Sequence, residues 1–117
     1  MRKFIVTKKH ISEFPNPINF NKGDTISIGD EYVGDEGWDN WIYCNFNEIQ
    51  GFVPKQLIDF IDNNQGVANE DYTAHELCVA PGELLFSSRE LNNWIWAKNE
   101  NNEKGWVPLS NVSEIIE

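Results

Sequence analysis

Hydrophobic residues fall in short runs broken by Gly, Pro, Asn and Asp, and helical periodicity is nearly absent. Thr25-Ile26-Ser27-Ile28-Gly29 alternates with period two, which puts Ile26 and Ile28 on one face of a strand. Trp41 to Phe46 is rich in β-formers. Asn47-Glu48 and then Ile49 to Val53 follow, so this segment predicts a hairpin. Trp94 to Lys98, the polar Asn99 to Glu103 and Lys104 to Val107 predict a second one. Pro54 and Pro108 close their strands, because proline has no N–H to give to a ladder. The chain reads as all-β. A small closed or partly closed barrel solves the edge problem for so few strands.

The pattern occurs twice. Lys22-Gly23-Asp24, Asn40-Trp41-Ile42-Tyr43-Cys44 and Gly51-Phe52-Val53-Pro54 match Pro81-Gly82-Glu83, Asn93-Trp94-Ile95-Trp96-Ala97 and Gly105-Trp106-Val107-Pro108, in the same order. Gly23 and Trp41 are 18 residues apart and Gly82 and Trp94 are 12, so the first copy carries six extra residues there. A surface loop accommodates such an insertion at small entropic cost. Asp62-Asn63-Asn64-Gln65-Gly66 is the longest stretch between the copies without an apolar side chain. It divides the sequence into a first domain at 1–62 and a second at 65–117. Cores this small are marginal alone, below roughly 65 residues. The two are therefore expected to share apolar surface.

Charge narrows the partners. Nine Lys and Arg face 19 Asp and Glu, a net charge of −10, which disfavours nucleic-acid phosphates and anionic membranes. No segment approaches the roughly 20 apolar residues of a membrane span, and the apolar run near Met1 is too short for a signal peptide. Cys44 and Cys78 lie far apart in apolar runs and read as two buried thiols of a cytoplasmic protein. His75 and Cys78 have no further ligand nearby, so neither metal nor cofactor is expected. The acidic cluster Asp30, Glu31, Asp35, Glu36 and Asp39 lacks calcium-loop order and reads as a solvated loop. No Ser-His-Asp order, phosphate-binding glycine loop or zinc-protease helix is present. The chain is expected not to be an enzyme.

Both copies resemble the Src-homology-3 (SH3) family. The likeness rests on the three segments of copy one and, in copy two, on Glu76-Leu77-Cys78-Val79-Ala80-Pro81-Gly82-Glu83, Trp94-Ile95-Trp96-Ala97 and Gly105-Trp106-Val107-Pro108. It implies two five-stranded SH3-like barrels of bacterial type, each with a 3₁₀ turn after its proline. It also implies a non-catalytic adaptor that binds a protein or a basic, proline-containing peptide in an aromatic groove. By position, the groove residues are Trp41, Phe52 and Pro54 in copy one, and Tyr72, Glu76, Trp94, Trp106 and Pro108 in copy two. Pro17 stands where Glu76 does, and Leu57 and Asn111 replace a groove tyrosine. Copy two keeps more of the site. Its nine acids and three bases point to a basic ligand. The other reading is a structural protein whose aromatics are used up between barrels or in a homodimer. Trp38 fits packing or ligand contact, Tyr43 and Trp96 read as surface aromatics, and the oligomeric state stays open.

Overall fold

The computed structural model describes residues 1–12, 16–31 and 40–116. Trp38 and the acids Asp35, Glu36 and Asp39 lie outside the described residues. The fold is all-β. Its strands are β1 (Arg2–Val6), β2 (Asn19–Phe20), β3 (Thr25–Glu31), β4 (Trp41–Phe46), β5 (Ile49–Pro54), β6 (Ile58–Phe60), β7 (Gln65–Ala68), β8 (Tyr72–Thr73), β9 (Leu84–Leu91), β10 (Trp94–Lys98), β11 (Lys104–Pro108) and β12 (Val112–Glu114). Single 3₁₀ turns follow the two prolines, at Lys55–Leu57 and Leu109–Asn111.

Two five-stranded antiparallel sheets result, in the orders β11-β10-β9-β1-β12 and β5-β4-β3-β7-β6, with a separate β2–β8 pair. Among the described residues neither sheet is closed. The hairpin turns are set locally. Asn47 and Glu48 both have positive φ, 52° and 66°, the primed turn that matches strand twist. Asn92 and Asn93 do the same at 48° and 70°, so β9 and β10 are joined by two residues. The repeat holds in register. Trp94↔Pro108, Trp96↔Trp106 and Ala97↔Gly105 in one hairpin correspond to Trp41↔Pro54, Tyr43↔Phe52 and Cys44↔Gly51 in the other. Cys44 and Ala97 are each 1% exposed, so both hairpins turn a small side chain into the core at this offset.

The sheets do not follow the copies. β1 pairs with β9 and β12, whereas β7 pairs with β3 and β6. Each sheet therefore takes its first strand from the other copy, in matching register: Val6↔Val112 in one, Ala68↔Ile58 in the other. The flanking bonds match too. Val6 N–H donates to Glu83 O and Ala68 N–H to Asp24 O, both at 2.9 Å. The compact units are Met1–Pro15 with His75–Glu117, called the split unit below, and Asn16–Ala74, the inserted unit. The boundaries at 62 and 65 thus separate copies of the sequence, not compact units. Similarity between repeats is a local property, while strand pairing is not, so a reading by repeat assigns each first strand to its own copy.

In the split unit, β1 turns Phe4 and Val6 into a core with Leu77, Val79, Leu85, Ile95, Ala97 and Val107. Each large apolar side chain so buried contributes roughly 1.5–3 kcal/mol. At the exposed end of the same face Arg2 lies over the Phe4 ring, 5.1 Å from its centroid, and bonds Glu90 at 3.1 Å and Glu114 at 3.0 Å, which holds the Glu114 carboxyl below its ordinary range. The exchange also redistributes charge. The inserted unit has 11 acids and two bases, the split unit eight acids and seven bases. Lys8 and Lys9 now belong with Glu76 and Trp94, so the strongly acidic surroundings expected from copy two alone are absent.

Candidate functional site

In the split unit, the outward face of the β10–β11 hairpin carries Trp94, Trp96, Trp106 and Pro108, since Ile95 and Ala97 take the alternate, buried positions. Trp96 and Trp106 meet edge to face, their ring centroids 5.4 Å apart. The segment around Glu76 crosses this hairpin closely. Leu77 N–H donates to Trp106 O at 3.1 Å, and Trp106 N–H donates to His75 O at 2.9 Å. Gly105 permits the approach: a Cβ there would lie 2.6 Å from Leu77 N.

The chain after β1 completes the site. His10 N–H donates to Val79 O at 3.0 Å and Val79 N–H to His10 O at 2.9 Å, fixing the arm against the segment that carries Glu76. His10 Nε2 then lies 2.7 Å from Glu76 Oε1, with the side chains 17% and 13% exposed. The same imidazole meets Trp94 edge to face at 5.7 Å. Asn111, where a groove tyrosine was expected, is buried. Its side-chain amide donates to Lys8 O and Lys9 O, at 3.3 Å and 3.0 Å, and so pins the start of the arm. Glu76, Trp94 and Pro108 are thus joined by His10, contributed by copy one. Trp94 and Pro108 are half-buried and Trp106 is buried.

The inserted unit holds the remaining expected residues. Tyr72 pairs with Phe20 across β2–β8, their rings 5.5 Å apart, in the unit of Trp41, Phe52 and Pro54, whereas Glu76 and Trp94 belong to the split unit. Trp41 and Tyr72 are only 7% and 9% exposed, and Pro54 is fully buried. Phe52 is half-buried and meets Tyr43 edge to face at 5.2 Å. Pro17, half-buried, leaves this unit without the carboxylate.

His10 escaped the reading by residue type because a lone histidine carries no motif. Its signal was positional: Val6-Thr7-Lys8-Lys9-His10 occupies the place of Ala68-Asn69-Glu70-Asp71-Tyr72. Cys78 needs a correction. It is exposed, not buried, because Leu77 and Val79 take the inward positions on either side, and its Sγ accepts the Ser12 N–H at 3.4 Å. Cys44 is buried, and desolvation pushes its thiol up to about 12. Among the described residues no three His, Cys, Asp or Glu side chains converge as metal ligands, and no helix is long and apolar enough to cross a membrane.

Five-stranded antiparallel sheets and an aromatic hairpin face define a small all-β module. A family model described as a variant SH3 domain matches residues 3–61, and the chain belongs to that family. The match runs from β1 to β6, so it follows the first sequence copy and not either compact unit. Searches of curated proteins and of solved structures return no match. SH3 domains are in general non-catalytic modules that bind proteins and peptides.

Proposed function

We propose that the chain is a tandem SH3-type adaptor in which the split unit binds an extended, proline-containing peptide. The observation that carries the reading is the cluster of His10, Glu76 and Trp94, with Pro108 beside Trp94. It sets a carboxylate next to a half-exposed indole. Flat rings and Pro108 would take the proline faces, and the extended ligand would lose little entropy on binding. Glu76 would fix its direction through a Lys or Arg. Glu76 is part-buried and already meets His10 at 2.7 Å, so its contact sets direction and most of the affinity must come from the aromatics. With Asn111 in place of a groove tyrosine, we expect Kd in the micromolar range, about −8 kcal/mol. The test is titration of lysine-bearing proline-rich peptides into the wild type, Trp94→Ala and Glu76→Gln. Loss of binding in Trp94→Ala and weaker, less salt-sensitive binding in Glu76→Gln support the reading. Unchanged binding in Trp94→Ala refutes it.

The burial of Trp41, Tyr72 and Trp106 favours a second reading, a structural protein with no peptide ligand. Under it, no peptide binds at any concentration tested, and Trp94→Ala lowers stability alone.

A further inference from the structure

We infer that the exchange of first strands is specified by side-chain volume at one core position, so that each strand fits only the other copy's sheet. Phe4 in β1 and Gly66 in β7 are equivalent: Phe4 pairs with Leu85 and Gly66 with Ile26, at matching places in β9 and β3. Their surroundings are opposite in size. Gly66 is buried, and a Cβ there would lie 2.4 Å from Ile58 Cγ2, 3.1 Å from Asp59 O and 3.1 Å from Ile28 Cδ1. A phenylalanine ring has no room in that place. The register puts Ser87 where Ile28 stands and Val112 where Ile58 stands. Phe4 is 1% exposed in this roomier site, with Val112 packed against its cluster.

The pairing within each copy would meet two penalties at once. β1 beside β3 and β6 would force Phe4 into the space that Ile28 and Ile58 fill. β7 beside β9 and β12 would set Gly66 in a site shaped for a ring and leave a void. Overpacking and cavity formation are both destabilising, and here they fall on the same alternative. The hydrogen bonds do not discriminate, since both first strands make the same flanking bonds. Volume at this layer therefore selects the pairing. It also makes each candidate groove composite, with one arm from each copy.

The test is cross-linking in the full chain with Cys44→Ala and Cys78→Ser as background; Ala97 occupies the site equivalent to Cys44. Ile5→Cys with Ser113→Cys reports the exchanged pairing, because Ile5 faces Ser113. Ile5→Cys with Asp59→Cys reports the pairing within copy one, because Asp59 faces Val67, the equivalent of Ile5. We expect the first pair to close within one chain and the second to stay reduced. Closure of the second pair, or a disulfide between two chains, overturns the proposal. The combined Phe4→Gly and Gly66→Phe substitution transposes the volumes and should reverse the preference, closing 5 to 59. Persistence of the 5-to-113 disulfide with an unchanged urea midpoint overturns it. If the transposed chain does not fold, Gly66→Ala decides. Its loss in urea midpoint should at least halve in an Ile58→Ala background, and an equal loss in both backgrounds overturns the proposal.

Discussion

Substituting Gly105 by alanine should damage the His10–Glu76–Trp94 site from beneath. The new Cβ would lie 2.6 Å from Leu77 N, 2.9 Å from Glu76 C and 3.0 Å from Leu77 Cβ. Relaxed contacts between heavy atoms begin near 3.5 Å, so the segment would have to retreat by about 1 Å. That retreat stretches the Leu77 N–Trp106 O and Trp106 N–His75 O bonds, now 3.1 Å and 2.9 Å, out of useful range. Two such bonds at roughly 0.5–1.5 kcal/mol each place the loss at about 1–3 kcal/mol. Glu76 moves with its backbone, so its bond to His10 fails as well. Gly51 provides the control at the equivalent position. Its Cβ would meet Ile18 Cγ2 at 3.1 Å and no backbone atom within 4 Å. Ile18 Cγ2 is a branch methyl on Cβ and yields a few tenths of an ångström only through a small turn of χ1, but no backbone hydrogen bond has to stretch. The roughly 0.5–1 kcal/mol penalty of glycine within a strand would then offset most of the cost. Urea unfolding of both variants, with the Trp94 indole and His10 imidazole followed by NMR, makes the comparison. Gly105→Ala should show the lower midpoint and shifted Trp94 and His10 resonances. A wild-type midpoint for Gly105→Ala beside a lowered one for Gly51→Ala would refute the reasoning.

Four further outcomes follow from the fold. Phe4→Ala should cost about 3–5 kcal/mol, and hydrogen exchange should show protection lost across β9 to β12 before β3 to β6, although Phe4 precedes both in sequence. Ala97→Leu should overpack the split unit and cost about 1–3 kcal/mol, read as a lowered urea midpoint. Cys78 should react with iodoacetamide in the native protein while Cys44 stays unmodified. Because burial raises the Cys44 thiol from 9.0 to about 12, the unfolded chain loses this proton first, and stability should fall as pH rises between those values. Cys44→Ala should flatten that slope in urea titrations at pH 8 and pH 10.5.

Strands, hairpins and register were legible because their signals are local. Period-two alternation marked β3, turn residues marked the hairpin at Asn47-Glu48, and two prolines marked the ends of β5 and β11. Six of the groove residues, Trp41, Phe52, Pro54, Trp94, Trp106 and Pro108, lie on the hairpin positions that the repeat assigned them. The partnership of arms was not legible. Copy two offers Tyr72 and copy one offers His10, yet His10 meets Glu76 and Trp94 while Tyr72 meets Phe20. Nothing in either arm's local pattern states which sheet it will join. The relevant contrast, Phe4 and Ser87 against Gly66 and Ile28, is written in the chain, but it becomes readable only once the register aligns those four positions. Charge misled for the same reason. A net count over copy two omits Lys8 and Lys9, which the exchange delivers to the neighbourhood of Glu76.

Pairing β1 with β12 also imposes an order on biosynthesis. The inserted unit has all its strands once the ribosome has added Thr73, whereas Phe4 and Val6 have no sheet to enter until β9 is made, and β12 follows only at Val112. At about 5–20 residues per second, some forty further codons keep that strand waiting for seconds on the nascent chain. Contacts between residues more than a hundred positions apart also close slowly after release. Throughout the delay an unpaired apolar strand is a template for aggregation. Arg2, Lys3, Lys8 and Lys9, which bracket it with positive charge, are placed to act as its gatekeepers until the last sheet forms.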